Sequence, residues 1–322
     1  PVAAAPSTRR LARELGVDLR LVTPSGPGGR VTPEDVRAFA EGAKKPAPPP
    51  PKPAPKEEQV EKAEAEAAEA PALEAAPPLP RFDRVGPVER IPLRSVRRAT
   101  AKHVALSWSQ IPHVSHMDTA DITELEEFRR KHRKQVEDQG GALSLTVFVL
   151  KAAAFALKKF PRFNASLDMD AEEIILKHYY NIAVAVDTDR GLLVPVIRDV
   201  DCKSLMDLGI ELKRLAEKTR QGKTSVEELS GGTFTITNIG PLGGASFNPI
   251  INYPQAAILG MAQARLQPVV IGDERGNEIV PRLILPLIIT FDHRLLDGAE
   301  AARFLTSIIE ALENPENLMM VM

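Results

Sequence analysis

Between residues 43 and 82 the sequence alternates alanine with proline and then turns to Glu-Ala repeats, almost without large apolar side chains. Such a stretch cannot bury enough surface to offset the entropy of ordering it. Its proline tract favours stiff polyproline II, and the whole would reach about 120 Å fully extended or about 35 Å as a coil. The chain therefore reads as three parts: a small unit over residues 1–42, a disordered linker over 43–82 and a large domain over 83–322. Composition does not choose between a swinging arm and a passive spacer.

Bulk charge and chemistry exclude several functions. A net charge of −2 gives no global pull towards nucleic acid or an anionic membrane. Cys202 is the one cysteine, so no internal disulfide can form, which fits a reducing compartment. No apolar run approaches the ~20 residues of a membrane span, and no signal peptide pattern opens the chain. The sequence starts at Pro1 rather than at a methionine and reads as a fragment of something longer.

The small unit predicts two helices. After Pro6-Ser7-Thr8 comes a helical pattern with Leu11, Ala12 and Leu15 on one face, closed by Gly16. A glycine-rich loop over Ser25–Gly29 follows. Then Thr32-Pro33-Glu34-Asp35 offers an N-cap, a first-turn proline and acidic residues at the positive helix end. Val31 and Val36 stand where a hydrophobic staple would sit. Arg9, Arg10, Arg13, Arg20 and Arg30 decorate the unit, and on composition alone they read as a solvated basic face.

In the large domain, Asp121-Ile122-Thr123-Glu124 reads as a helix start carrying Leu125 and Phe128, and Ser144–Phe160 as a buried helix. Ile182–Val186 and Leu192–Ile197 read as a hairpin, with Pro195 placing it at an edge or in an irregular ladder. Ser204–Arg220 is an amphipathic helix through Leu205, Leu208, Leu212 and Leu215, and Thr224–Glu227 reads as a further capping box. Thr233–Gly240 alternates polar and apolar residues, as a strand with a solvated threonine face would. The apolar Leu318–Met322 end predicts burial, either on its own domain or against another subunit.

Two motifs fail. Gly222-Lys223-Thr224 matches the end of a phosphate-binding loop, but Glu217 stands where the first glycine is required. His113 and His116 have no cysteine or acidic partner at useful spacing, so no metal site is expected.

The stretch with the most chemistry is Leu283–Gly298. A run of branched apolar residues predicts a buried strand, and its polar end delivers His293, the side-chain type best suited to move a proton near neutral pH. Asp297 with Glu300 three residues on reads as a capped helix start, and Phe304, Leu305, Ile308, Ile309 and Leu312 share one face beyond it.

His293-Arg294-Leu295-Leu296-Asp297-Gly298 matches the HRxxDG signature of the dihydrolipoamide acyltransferases, the core enzymes of 2-oxo acid dehydrogenase complexes. More weakly it resembles the HxxxDG motif of chloramphenicol acetyltransferase. The resemblance extends over Val88–Met322. Residues 6–39 resemble the peripheral subunit-binding domain of the same enzymes, although Pro27 stands where relatives often carry a lysine.

This resemblance implies an α/β (α+β) catalytic domain of the chloramphenicol-acetyltransferase-like type, with a mixed, mostly antiparallel sheet, beside a small all-α binding domain. It implies His293 as general base and Thr237 as the hydroxyl facing that histidine from a neighbouring subunit. Asp297 would hold the site together, by pairing with an arginine of Arg94-Ser95-Val96-Arg97-Arg98 or by capping its helix. Coenzyme A would be the substrate thiol, the lipoyl group would come from an upstream domain missing here, and no metal would be needed. Arg9, Arg10, Arg13 and Arg30 would grip acidic patches on dihydrolipoamide dehydrogenase, with the 2-oxo acid decarboxylase component as another possible partner. Homotrimers would build a cubic or dodecahedral core in the cytoplasm, or in the mitochondrial matrix of a eukaryote. Phe160–Leu167 and Pro281–Pro286 resemble the acetyl-transferring branch, acting with pyruvate dehydrogenase, more than the succinyl branch; branched-chain transfer stays open. Two rival readings are an inactive scaffold anchoring the dehydrogenase and a small-molecule O-acetyltransferase.

Overall fold

A computed structural model describes residues 4–19, 21–26, 30–42, 78–93, 95–273 and 276–316. Most of the expected linker, Arg20, Pro27, Arg94 and the Leu318–Met322 end lie outside the described residues. The chain divides into two compact units, Pro1–Val88 and Glu89–Met322.

In the first unit, α1 spans Pro6–Glu14 and α2 spans Pro33–Gly42. Each has proline where a missing N–H costs nothing. Ala12, Val22, Val31 and Val36 form its core, so Val31 and Val36 do bracket the start of α2 as a staple. Thr32 caps α2: its Oγ1 accepts from the Asp35 N–H, and Asp35 accepts from the Thr32 N–H at 2.9 Å. The same carboxylate takes the Ser25 hydroxyl at 2.6 Å and the Ser25 N–H at 3.0 Å. The Ser25 hydroxyl, and then the Thr32 N–H, hold the Asp35 carboxyl well below the usual carboxylate range. One acidic side chain thereby ties the helix to the preceding loop. Leu15 departs from expectation and is 46% exposed. It lies just past the last helical residue, where Gly16 turns left-handed at φ 69°, and Thr8 occupies the buried face instead.

The second unit packs helices against a seven-stranded sheet. Its elements are α3 (Ser95–Gln110), β1 (His113–Asp121), α4 (Thr123–Glu137), α5 (Leu145–Lys159), β2 (Ala165–Asp168), β3 (Glu173–Leu176), β4 (Ile182–Val184), β5 (Val196–Ile197), α6 (Leu205–Arg220), β6 (Phe234–Asn238), β7 (Ala257–Met261), β8 (Arg265–Asp273), β9 (Gly276–Asp292) and α7 (Gly298–Glu313). Strand order is β1-β9-β7-β6-β4-β5, with β8 following β7 along β9, while β2 and β3 pair separately. Only β4–β6 and β6–β7 run parallel, so the sheet is mixed and mostly antiparallel, as expected.

Helix α5 is apolar all round because it is covered all round, and residues 146–154 are buried without a break. Its one buried charge, Lys151, donates to the Asp201 and Lys203 carbonyls at 2.9 and 2.8 Å, and burial lowers its pKa. Helix α6 starts at Ser204 with a reciprocal cap from Asp207, its leucines turned inward. The expected hairpin is irregular: β4 and β5 pair over two residues, continue through Val184 N–H to Pro195 O and a Val186–Leu193 bridge, and leave β5 at the sheet edge. Pro195 has no N–H to give, which accounts for both features.

Two expectations are corrected. The box read at Thr224–Glu227 is formed one residue later, by Ser225 and Glu228, and heads only a 3-10 turn at Glu227–Leu229. In β6 the threonines do not face solvent: Thr233 and Thr235 are buried, and Thr235 donates to Gln255 Oε1 at 2.6 Å. Paired neighbours on both edges and Gln255 enclose that face.

Candidate functional site

Strand β9 ends at Asp292, α7 begins at Gly298, and His293 projects from the turn between them. The strand is anchored by β1 on one edge and β7 on the other, from Ile284 to Asp292 and from Leu287 to Phe291. Its end is therefore rigid. The His293 N–H donates to the Pro112 carbonyl at 3.2 Å. The side chain is exposed, with its ring centroid 5.8 Å from that of buried Phe291.

Asp297 caps α7: its Oδ1 accepts the Glu300 N–H at 2.7 Å, and Glu300 returns a bond to the Asp297 N–H. Arg162 reaches Glu300 at 3.3 Å and ties the cap to the Pro161–Asn164 turn. Among the described residues no ion pair joins Asp297 to an arginine, and Arg98 donates to the Leu93 carbonyl instead. Of the two roles open to Asp297, capping is the one seen.

Thr237 lies elsewhere in the same chain. It pairs in register with Gly260 of β7, which pairs with Ile288 of β9, five positions before His293. Five residues along a strand and two strand spacings put the two backbone positions about 20 Å apart. Phe247 packs beside Thr237's neighbour, where a Cβ on Gly260 would come within 2.7 Å of its ring. Asn238 braces the end of β6, accepting from the Gly240 N–H at 2.8 Å and donating to Thr146 Oγ1 at 3.1 Å. Beside it, at the carboxyl ends of parallel β4 and β6, opens a cleft of about 530 Å³. Val184, Val186 and Leu212 give it an apolar lining, while Asp187, Lys213, Glu217 and Arg220 bring balanced charge.

Two groups at the histidine turn escape sequence reasoning. Buried Asp292 and exposed Arg294 flank His293 and form an ion pair at 2.7 Å. A signal existed, since opposite charges two residues apart at a strand end can meet. His113 proves structural: Nδ1 donates to the Ile111 carbonyl and Nε2 accepts from the Ile251 N–H. No group of three or more His, Cys, Asp or Glu that could hold a metal ion occurs among the described residues.

In the first unit Arg9, Arg10, Arg13 and Arg30 are all exposed. Arg9 and Arg13 follow one another by one turn of α1, with Arg13 Nε 3.4 Å from the Arg9 carbonyl and Arg9 Nε 3.2 Å from that of Ala4. Arg10 pairs with Glu14 at 3.0 Å. Arg30 lies on the loop before α2.

Residues 85–320 match the model of the 2-oxoacid dehydrogenases acyltransferase (catalytic domain), and residues 2–37 match that of the e3 binding domain. The chain belongs to the 2-oxoacid dehydrogenase acyltransferase family. It is 43% identical over 305 residues to the dihydrolipoyllysine-residue acetyltransferase component of the pyruvate dehydrogenase complex of Cupriavidus necator, covering 94% of this chain and 52% of that protein. It thus spans about half the length of that relative. The crystal structure of Azotobacter vinelandii dihydrolipoamide acetyltransferase, studied for the catalytic roles of a serine, a histidine and an asparagine, matches with a TM-score of 0.71 and 42% identity over 76% of this chain and 99% of that one. The cubic core of a pyruvate dehydrogenase multienzyme complex matches with a TM-score of 0.71 and 41% identity, over 76% of this chain and 99% of that one.

Proposed function

We propose that the chain transfers an acetyl group between coenzyme A and a dihydrolipoyl thiol, within the core of a pyruvate dehydrogenase complex. The observation that carries this is His293, held on a rigid strand end before a capped helix, in a chain 43% identical to a protein of that activity. In the Azotobacter enzyme the histidine and asparagine studied for catalysis stand four positions apart, as His293 and Asp297 do.

In this reading the His293 imidazole takes the proton of the attacking thiol, whose free pKa is near ~8.5. The thiolate adds to the thioester carbonyl, and the Thr237 hydroxyl donates to the oxyanion that forms. Collapse expels the second thiolate, which recovers the proton from His293. Asp297 fixes the turn by capping α7. The wide separation of Thr237 and His293 within one chain supports a site completed by a second copy. So does the apolar surface of α3 and its approach: Ile91, Leu93, Leu106 and Trp108 are 79, 57, 42 and 66% exposed. We place this copy within a trimer of a larger core, by likeness to the cubic core structure.

Coenzyme A fits the cleft beside Asn238. Its balanced charges and apolar lining suit the uncharged pantetheine arm, and it opens where open parallel strands end, a usual place for ligands. The decisive assay offers acetyl-, succinyl- and isobutyryl-CoA with dihydrolipoamide and follows thioester formation. Acetyl-CoA is expected to turn over fastest; no turnover with any donor would leave a scaffold.

Residues 1–42 are proposed as the docking domain for dihydrolipoamide dehydrogenase, with Arg9, Arg10, Arg13 and Arg30 as its contacts. The decarboxylase component is a second candidate partner. Arg10's exposed pair with Glu14 is worth little and is easily exchanged for a partner carboxylate. Arg13→Ala is expected to weaken dehydrogenase binding at least tenfold, since breaking a desolvated bidentate pair costs about 2–5 kcal/mol, and Arg13→Lys to restore only part. Calorimetric titration of the whole chain at two salt concentrations checks this. Affinity indifferent to salt and to Arg13→Ala would leave the arginines a solvated face.

A further inference from the structure

We infer that Asp292 and Arg294 are positioning residues that lock His293 in its working orientation. The inference rests on the reading of His293 as the base. An exposed ring on a turn is free to reorient unless its backbone is fixed, and catalytic geometry tolerates displacements of only about 0.5 Å. Here the backbone is fixed from both sides. Asp292 is 2% exposed, and its carboxylate accepts from Arg294 four times: from the N–H and Nε to Oδ1, each at 3.0 Å, and from Nε and Nη2 to Oδ2 at 3.2 and 2.7 Å.

The carboxylate of one residue thus grips both the main chain and the fork of the residue two further on, closing a loop around His293. Residues 293–295 form a turn directly after β9, and the Arg294 N–H closing on the Asp292 carboxylate fixes the first bend of that turn around His293. With Asp292 buried beneath the turn and held to Arg294, the His293 side chain is left on the exposed side. The Asp292 carbonyl completes the turn by accepting from Leu295 and Leu296 N–H groups at 3.0 and 3.1 Å, while the His293 N–H is held by Pro112. None of these bonds uses the imidazole, which stays available for chemistry.

Burying the Asp292 carboxylate carries a cost that an apolar side chain would avoid. A charge taken out of water is expensive unless it is paired and hydrogen-bonded, and the more exposed Arg294 supplies that partner. A fork and a carboxylate fix direction as well as distance, which leucine and methionine would not. Directional control of the intervening residue is what this pair supplies.

The test uses the intact assembled chain with acetyl-CoA and dihydrolipoamide, comparing wild type, His293→Ala, Arg294→Lys and Arg294→Ala. Arg294→Ala is expected to lower kcat about tenfold or more, within the range a small misplacement costs, with KM for either thiol changed less than about twofold. Added guanidinium ion should restore part of that kcat, because it can re-form the fork against Asp292. Arg294→Lys should fall between, keeping charge but losing the fork. If Arg294→Ala fails to assemble, Arg294→Lys carries the same kcat-against-KM criterion. An assembled variant with kcat within about twofold of wild type, or one whose loss lies in KM, overturns the inference. An inactive wild type, or a His293→Ala chain as active as wild type, instead defeats the reading of His293 on which it rests.

Discussion

Replacing His293 with alanine lowers acetyl transfer by at least about 10²-fold, the contribution expected of a positioned general base. Particle size should be unchanged. The side chain is exposed, and among the described residues its hydrogen bond is made by the main chain, to Pro112. Removing it opens no cavity and breaks no cap, because α7 is held by Asp297 and Glu300 and the turn by Asp292 and Arg294. Steady-state rates with acetyl-CoA and dihydrolipoamide, together with light scattering on the same sample, separate a chemical loss from a structural one. A variant within a few-fold of wild type would remove His293 from the mechanism.

The features of this turn that were legible in the sequence are those written by neighbours. A cap at Asp297 needs only Glu300, and a buried strand needs only its own run of branched residues. The same holds for Ser204, Thr32 and the staple of Val31 and Val36. In each case the partner lies within a few residues, so spacing alone carries the information.

What the sequence hid depends on partners far along the chain. Thr235 looks like a solvent-facing strand residue until Gln255, twenty positions later, closes over it. Lys151 sits in a helix that reads as buried, and nothing nearby shows what satisfies its charge; its ammonium meets carbonyls about fifty residues away. The first half of β9, with exposed Glu278 and Ile279, carries too little apolar patterning to read as strand and is held there by β8. At the candidate site the same division holds. Local pattern places His293 at a strand end and Asp297 at a helix cap, whereas their catalytic roles, like that of Thr237, come from family resemblance; nothing near Thr237 in the sequence points to a histidine.

That separation makes Thr237 the more informative residue to alter. Thr237→Ser keeps the hydroxyl and should keep most activity. Thr237→Val removes it at similar volume and should cost on the order of 10²-fold in kcat, the usual loss for one oxyanion donor. Equal rates for the two variants would refute the role. The stronger experiment mixes chains. With Thr237 and His293 about 20 Å apart in one chain, no single copy can bring both to one carbonyl. Each site must then pair the histidine of one copy with the threonine of the next. Co-assembling a His293→Ala chain with a Thr237→Val chain, both nearly inactive alone, would place an intact histidine opposite an intact threonine at roughly a quarter of the interfaces of a randomly mixed cyclic oligomer. Activity should therefore rise well above that of either parent on co-refolding, but not on mixing particles already assembled. No gain after verified co-assembly would refute a site shared between the histidine of one copy and the threonine of the next.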